Sequence, residues 1–79
     1  MLKEKEKHNT MQMNKEEVVM LENNLTLQGE ILERYEQLNA AGAFSEVQYL
    51  HQQNVVVETR GKLMQSKAER LRQIALLDQ

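Results

Sequence analysis

The sequence predicts an all-α fold, an antiparallel two-helix coiled-coil hairpin, and three observations predict it. The 79 residues contain no proline and only three glycines, which suits long helices and argues against sheets. A helix-stop signal and a helix-start signal stand back to back around Gly42 and Ser45. On both sides of them apolar residues recur at steps alternating three and four, the seam of a coiled coil.

Residues 1–14 are charged and polar, with Lys and Glu alternating from Lys3 to Lys7. They read as a frayed helical end or a disordered arm with no function of its own. The first residues hold no apolar h-region and do not read as a signal peptide. Residues 15–79 are the predicted hairpin, with its turn at about 41–45. The first heptad begins already in the arm and runs Met11, Asn14, Val18, Leu21, Leu25, Gln28, Leu32 and Tyr35, with Leu38 at its end. A shorter stripe beside it holds Leu27, Ile31, Arg34 and Leu38.

At the turn, Gly42 is the natural C′ residue, because without a Cβ it can take the left-handed conformation that closes a helix. Leu38 is then C3 and Ala43 is C″, the pair that makes the apolar contact of a Schellman ending. Ser45 and Gln48 are spaced as an S-x-x-Q capping box, and Phe44 and Tyr49 as a hydrophobic staple. Gly42, Ala43 and Phe44 are accordingly assigned to the turn.

The second heptad reads Val47, Leu50, Asn54, Val57, Gly61, Met64, Ala68, Leu71 and Ala75. A weaker stripe holds Val56, Leu63 and Leu77 and is expected to face outward. Each helix should be about 30 residues, roughly 45 Å at 1.5 Å per residue. Folding the two heptads onto each other pairs Leu38 with Val47, Tyr35 with Leu50 and Leu32 with Asn54. Further along it pairs Gln28 with Val57, Leu25 with Gly61, Leu21 with Met64 and Asn14 with Leu71. Large residues then mostly face small or polar ones, which fills space without clashes. Asn14, Gln28 and Asn54 read as register-setting polar positions. One seam is a thin core for so long a hairpin. The leftover stripes (Leu27, Ile31, Val56, Leu63, Leu77) are therefore expected to drive association into a homo-oligomer or bundle.

The formal net charge is −2 and the basic residues do not cluster on one face, so nucleic acid is not an expected partner. No run is apolar enough to span a bilayer, so direct membrane insertion by this segment is not expected. Cysteine is absent, and no nucleophile–base pair, carboxylate pair or glycine-rich phosphate cradle appears. An enzyme is not expected, nor is a cofactor. His8 and His51 have no ligand-spaced partner and read as surface residues. Met11, Met13 and Met20 carry thioethers of the kind that suits Cu(I). They read instead as seam and gap-filling residues, so no metal is expected.

Around the turn, Ile31-Leu32-Glu33-Arg34-Tyr35 leads through Leu38 to Gly42-Ala43-Phe44-Ser45, then to Gln48-Tyr49-Leu50 and Gln52-Gln53. This stretch resembles the helical hairpin of membrane fusion proteins, or periplasmic adaptors, of the hemolysin D type. In that family the tip carries Arg, then Leu four residues on, then Ser seven further, and Arg34, Leu38 and Ser45 stand at those spacings. The resemblance covers roughly residues 18–79 and is strongest at 31–53. The family's lipoyl-like domain, β-barrel and inner-membrane anchor have no counterpart here, so the resemblance implies a hairpin excised from a longer adaptor.

What the resemblance implies is a role in tripartite secretion or efflux. The hairpin would stand in the periplasm of a Gram-negative-type envelope, as part of an inner-membrane-anchored protein. Its tip residues Arg34, Leu38 and Ser45 would meet an outer-membrane channel of the TolC type. An inner-membrane ABC transporter or other export pump would engage the missing domains. The alternative is a general coiled-coil oligomerisation or scaffold module with no transport role. Both explain the heptads; only the adaptor explains the tip spacing.

Overall fold

A computed structural model describes residues 2–42 and 45–77, the side chains of residues 2 and 3 excepted. Two helices account for nearly all of them: α1 is Leu2–Ala40 and α2 is Glu46–Leu77. They fold back on each other into an all-α hairpin, a rod of 61 × 15 × 14 Å. Helix α1 has 39 residues and α2 has 32. The expected arm is thus part of α1, and no break separates residues 2–14 from the rest. Met11 is half-buried and Asn14 is buried against α2, so the seam itself reaches into that stretch.

The turn closes as its chemistry requires. Gly42 has φ of 73°, the left-handed conformation that other residues enter at a cost. Its N–H donates to the Asn39 carbonyl at 2.9 Å, the inner bond of a Schellman ending. The Tyr49 N–H donates to the Ser45 carbonyl at 3.1 Å, which is the first bond of α2 and places Ser45 at the N-cap. Among the described residues the reciprocal side-chain bonds of the expected capping box are not formed. Ala43 and Phe44, with the Schellman contact and the staple expected of them, lie outside the described residues.

On α1 the seam has the expected face. Asn14, Val18 and Leu21 are buried; Met11, Leu25, Gln28, Leu32 and Tyr35 are half-buried. Leu38 is the exception, 44% exposed at the end of the helix.

On α2 the expected face is wrong. Val47, Leu50, Val57, Met64 and Leu71 are 50–76% exposed. The buried residues are Gln52, Val56, Thr59, Leu63 and Ser66. They keep the same alternation of three and four but are displaced by two positions, a rotation of about 200° around the helix. Val56 and Leu63, expected on the outside, belong to the inside. Leu63 joins Val18 and Leu21 in the core cluster, with Leu25 packed against it. The expected pairs of Leu21 with Met64 and Leu25 with Gly61 are not made: Met64 is 65% exposed, and a Cβ on Gly61 would meet nothing within 4 Å.

The physical reason lies in the polar residues of α1. Asn14 Nδ2 donates to the Ser66 carbonyl at 3.1 Å and to Ser66 Oγ at 3.2 Å. Gln52 Nε2 donates to Gln28 Oε1 at 2.8 Å and to the Gln28 carbonyl at 3.0 Å. The expected face would have set Asn14 against Leu71 and Gln28 against Val57, leaving the Asn14 amide and Gln28 Oε1 without partners on α2, while Gln28 Nε2 keeps its bond to Asn24 Oδ1 at 3.3 Å within α1. A buried amide stranded in this way costs about 1–3 kcal/mol. The less apolar face of α2 answers Asn14 Nδ2 and Gln28 Oε1, although Asn14 Oδ1 stays buried without a partner among the described residues. Thr59, the third buried polar residue of that face, satisfies its hydroxyl within its own helix by donating to the Val55 carbonyl at 2.8 Å.

Candidate docking tip

The residues singled out by the sequence lie toward the turn end of the rod. Arg34 and Leu38 lie one helical turn apart on α1, so they share a face. Arg34 is exposed, as is Ser45 at the start of α2, and Leu38 is exposed because the seam has already closed below it. The three therefore present a guanidinium fork, an apolar knob and a hydroxyl near one end of the rod. Ser45 Oγ makes no hydrogen bond among the described residues; the Ser45 carbonyl accepts the first bond of α2.

Below the tip, Tyr49 ties the two helices together. Its Oη donates to Glu36 Oε1 at 3.3 Å. Partial burial pushes the phenol above its ordinary value, and the neighbouring Glu36 carboxylate adds to the effect. The phenol therefore stays protonated, as the hydrogen bond requires, throughout the neutral range.

The charge around the tip was not anticipated from the sequence, although it is written there. Between residues 20 and 59 six glutamates (Glu22, Glu30, Glu33, Glu36, Glu46, Glu58) stand against one Lys or Arg, which is Arg34. All seven are exposed. Arg34 is thus the lone fixed cation of an acidic half-rod. Residues 60–77 reverse the sign, with Arg60, Lys62, Lys67, Arg70 and Arg72 against Glu69. A count of charges along the chain, rather than around a helix face, is the signal that finds this.

At the opposite end the helices splay into an open groove of about 440 Å³ lined by Glu6, Lys7, Thr10, Met11, Leu76 and Leu77 among others. Arg72 Nε donates to Glu69 Oε2 there at 2.9 Å, and this bond holds the Glu69 carboxyl below its ordinary value. Among the described residues no group of three or more His, Cys, Asp or Glu is arranged to hold a metal ion. No helix among them is long and apolar enough to cross a membrane.

Searches of protein-family models, curated proteins and solved structures find no match to the chain.

Proposed function

We propose that the chain is the helical hairpin of a periplasmic adaptor of the hemolysin D type, and that its tip docks on a TolC-type outer-membrane channel. The adaptor would link that channel to an inner-membrane export pump held by other domains of the same protein. The observation that carries this reading is the exposure of Leu38. Had Leu38 been sealed in the seam, Arg34, Leu38 and Ser45 would have been explained by local structure alone. With Leu38 44% exposed beside Arg34, the Arg–Leu–Ser spacing forms a surface available to a partner. Arg34 suits the role because its planar fork gives several donors to carbonyl or carboxylate groups.

The test is Arg34→Ala in the full-length protein that carries this hairpin, with export and cross-linking to the channel measured together. Arg34 is exposed and alanine is an equal or better helix former, so protein levels should be unchanged while export and cross-linking fall. Unchanged export and cross-linking at normal protein levels would sink the adaptor reading. Leu38→Ala is a second clean probe, because an exposed leucine can be truncated at a cost within about 0.5 kcal/mol.

The reading as a coiled-coil association module draws on a different observation. A second apolar stripe on α2 is left uncovered by α1.

A further inference from the structure

We propose that the uncovered face of α2 binds a second copy of this chain, helix against helix and antiparallel. This inference does not rest on the docking reading and belongs with the association-module reading, because hairpins anchored in one membrane point their tips the same way and could not pair antiparallel.

The stripe in question is Val47, Leu50, Asn54, Val57, Gly61, Met64, Ala68, Leu71 and Ala75. All nine are exposed, and the five large ones are 50–76% exposed. The stripe lies about 160° from the face that packs on α1, so α1 cannot cover it. Its steps alternate three and four without a break for about four heptads, and that spacing is what a partner helix requires. Helix α1 has no such stripe. Its exposed Met13, Met20 and Leu27 recur only every seventh residue, with Glu16, Glu17, Asn23 and Asn24 at the positions between.

Two features select a second copy and set its direction. The first is size. One heptad position of the stripe holds Leu50, Val57, Met64 and Leu71; the other, after Val47, holds Asn54, Gly61, Ala68 and Ala75. In a parallel pair, like positions face each other, so large would crowd large and small would leave voids. In an antiparallel pair each position faces the other kind, so large side chains seat over small ones throughout. Gly61 leaves open space on this face, which lets the backbones approach.

The second feature is charge. Residues 20–59 are acidic apart from Arg34, and residues 60–77 are basic apart from Glu69. Antiparallel packing about the middle of the stripe lays the acidic half of each copy beside the basic half of the other. Parallel packing sets like charge beside like. Size and charge thus specify the same arrangement, an isologous dimer whose two-fold axis falls between residues 62 and 63, so that Met64 faces Gly61, Val57 faces Ala68 and Leu71 faces Asn54.

The contact is modest. From Val47 to Ala75 the stripe rises about 42 Å, and a helix is about 10–12 Å across. Its footprint is roughly 450 Å² per copy, about 900 Å² in total, below stable specific interfaces and in the range of weak, transient ones. Asn54 adds a polar group to the seam. The dimer should therefore be reversible and dissociate on dilution.

Sedimentation of the full chain over a concentration series tests this. The expected result is a monomer–dimer equilibrium that weakens as salt is raised, because screening removes the attraction between the halves. Val57→Glu, and separately Met64→Glu, should weaken the dimer at least tenfold while the helicity of the dilute monomer is kept. Spin labels on Ala75→Cys should lie roughly 40 Å apart in the dimer, since the two labelled ends point in opposite directions. A chain that stays monomeric at high micromolar concentration overturns the proposal and leaves the stripe to a helix of another protein. A dimer indifferent to both glutamate variants overturns the choice of face. A label separation under about 20 Å overturns the antiparallel direction, because only parallel helices bring equal positions together.

Discussion

The inner and outer faces of α2 are both heptad stripes, and they differ in what they offer. The inner face alternates apolar Val56 and Leu63 with polar Gln52, Thr59 and Ser66, and all five are buried. The outer face carries Leu50, Val57, Met64 and Leu71, all at least half exposed. Hydrophobic burial alone would have ordered them the other way. It did not, because α1 presents two amides to whatever packs on it. The inner face hydrogen-bonds one end of each, Asn14 Nδ2 to Ser66 and Gln28 Oε1 to Gln52, and of the two only Asn14 Oδ1 is left buried without a partner among the described residues. An unmet amide costs about 1–3 kcal/mol, comparable with the burial of one aliphatic side chain. In a seam this narrow, two such groups can decide which face goes in. The apolar residues they displace are then left outward, where they suit a second partner.

The largest expected effect separates two neighbouring residues. Leu63 is 7% exposed and Met64 is 65% exposed. Leu63→Ala should destabilise the monomer by about 2–4 kcal/mol, since it opens the cluster with Val18 and Leu21. Met64→Ala should change it by no more than about 0.5 kcal/mol. Thermal or urea unfolding followed by circular dichroism, at concentrations where the chain is monomeric, reads both. The reverse order would mean that α2 presents its other face to α1.

A smaller effect probes the polar layer. Gln52→Leu should cost about 1–2 kcal/mol, because it leaves the half-buried Gln28 Oε1 without its donor. Replacing both, Gln28→Leu with Gln52→Leu, should recover that loss or exceed it, since a matched apolar pair needs no hydrogen bond. A double variant no more stable than the single would show that the amides are not coupled, and would remove the stated reason for the choice of face.

That reason was present in the sequence, which explains what was legible and what was not. The hairpin and its turn could be read because Gly42 and Ser45 act locally: a left-handed conformation and an N-cap are set by the residue and its nearest neighbours. The seam of α1 could be read because Val18, Leu21, Leu25 and Leu32 are apolar at both heptad positions. The seam of α2 could not be read from apolarity, since every second seam residue is polar while a more apolar stripe runs behind it. Matching Asn14 and Gln28 to polar partners would have selected Ser66 and Gln52. At the tip, the spacing of Arg34, Leu38 and Ser45 was legible, but the freedom of Leu38 was not. That freedom depends on where the seam closes, a property of the packed pair rather than of either helix.

The smallest expected effect uses two glycines to sharpen the contrast between packed and open surface. A Cβ would meet nothing within 4 Å at either Gly42 or Gly61, so space cannot distinguish them. Conformation does. Gly61 has ordinary helical backbone in the interior of α2, where glycine is less favourable than alanine by roughly 0.5–1 kcal/mol through its greater freedom in the unfolded chain. Gly61→Ala should stabilise the monomer by about that amount. It should also leave self-association intact, since alanine already fills the equivalent stripe positions Ala68 and Ala75. Gly42 has φ of 73°, and a side chain there costs about 1–2 kcal/mol. Gly42→Ala should therefore destabilise by about 1 kcal/mol, the strain being partly offset by the same unfolded-state term. Opposite signs from one substitution at two equally roomy sites would show that the turn is held by backbone conformation and that the face at Gly61 is open. A loss of stability at Gly61 instead would mean that something packs closely on that face within the monomer. The inner and outer assignments of α2 would then have to be exchanged.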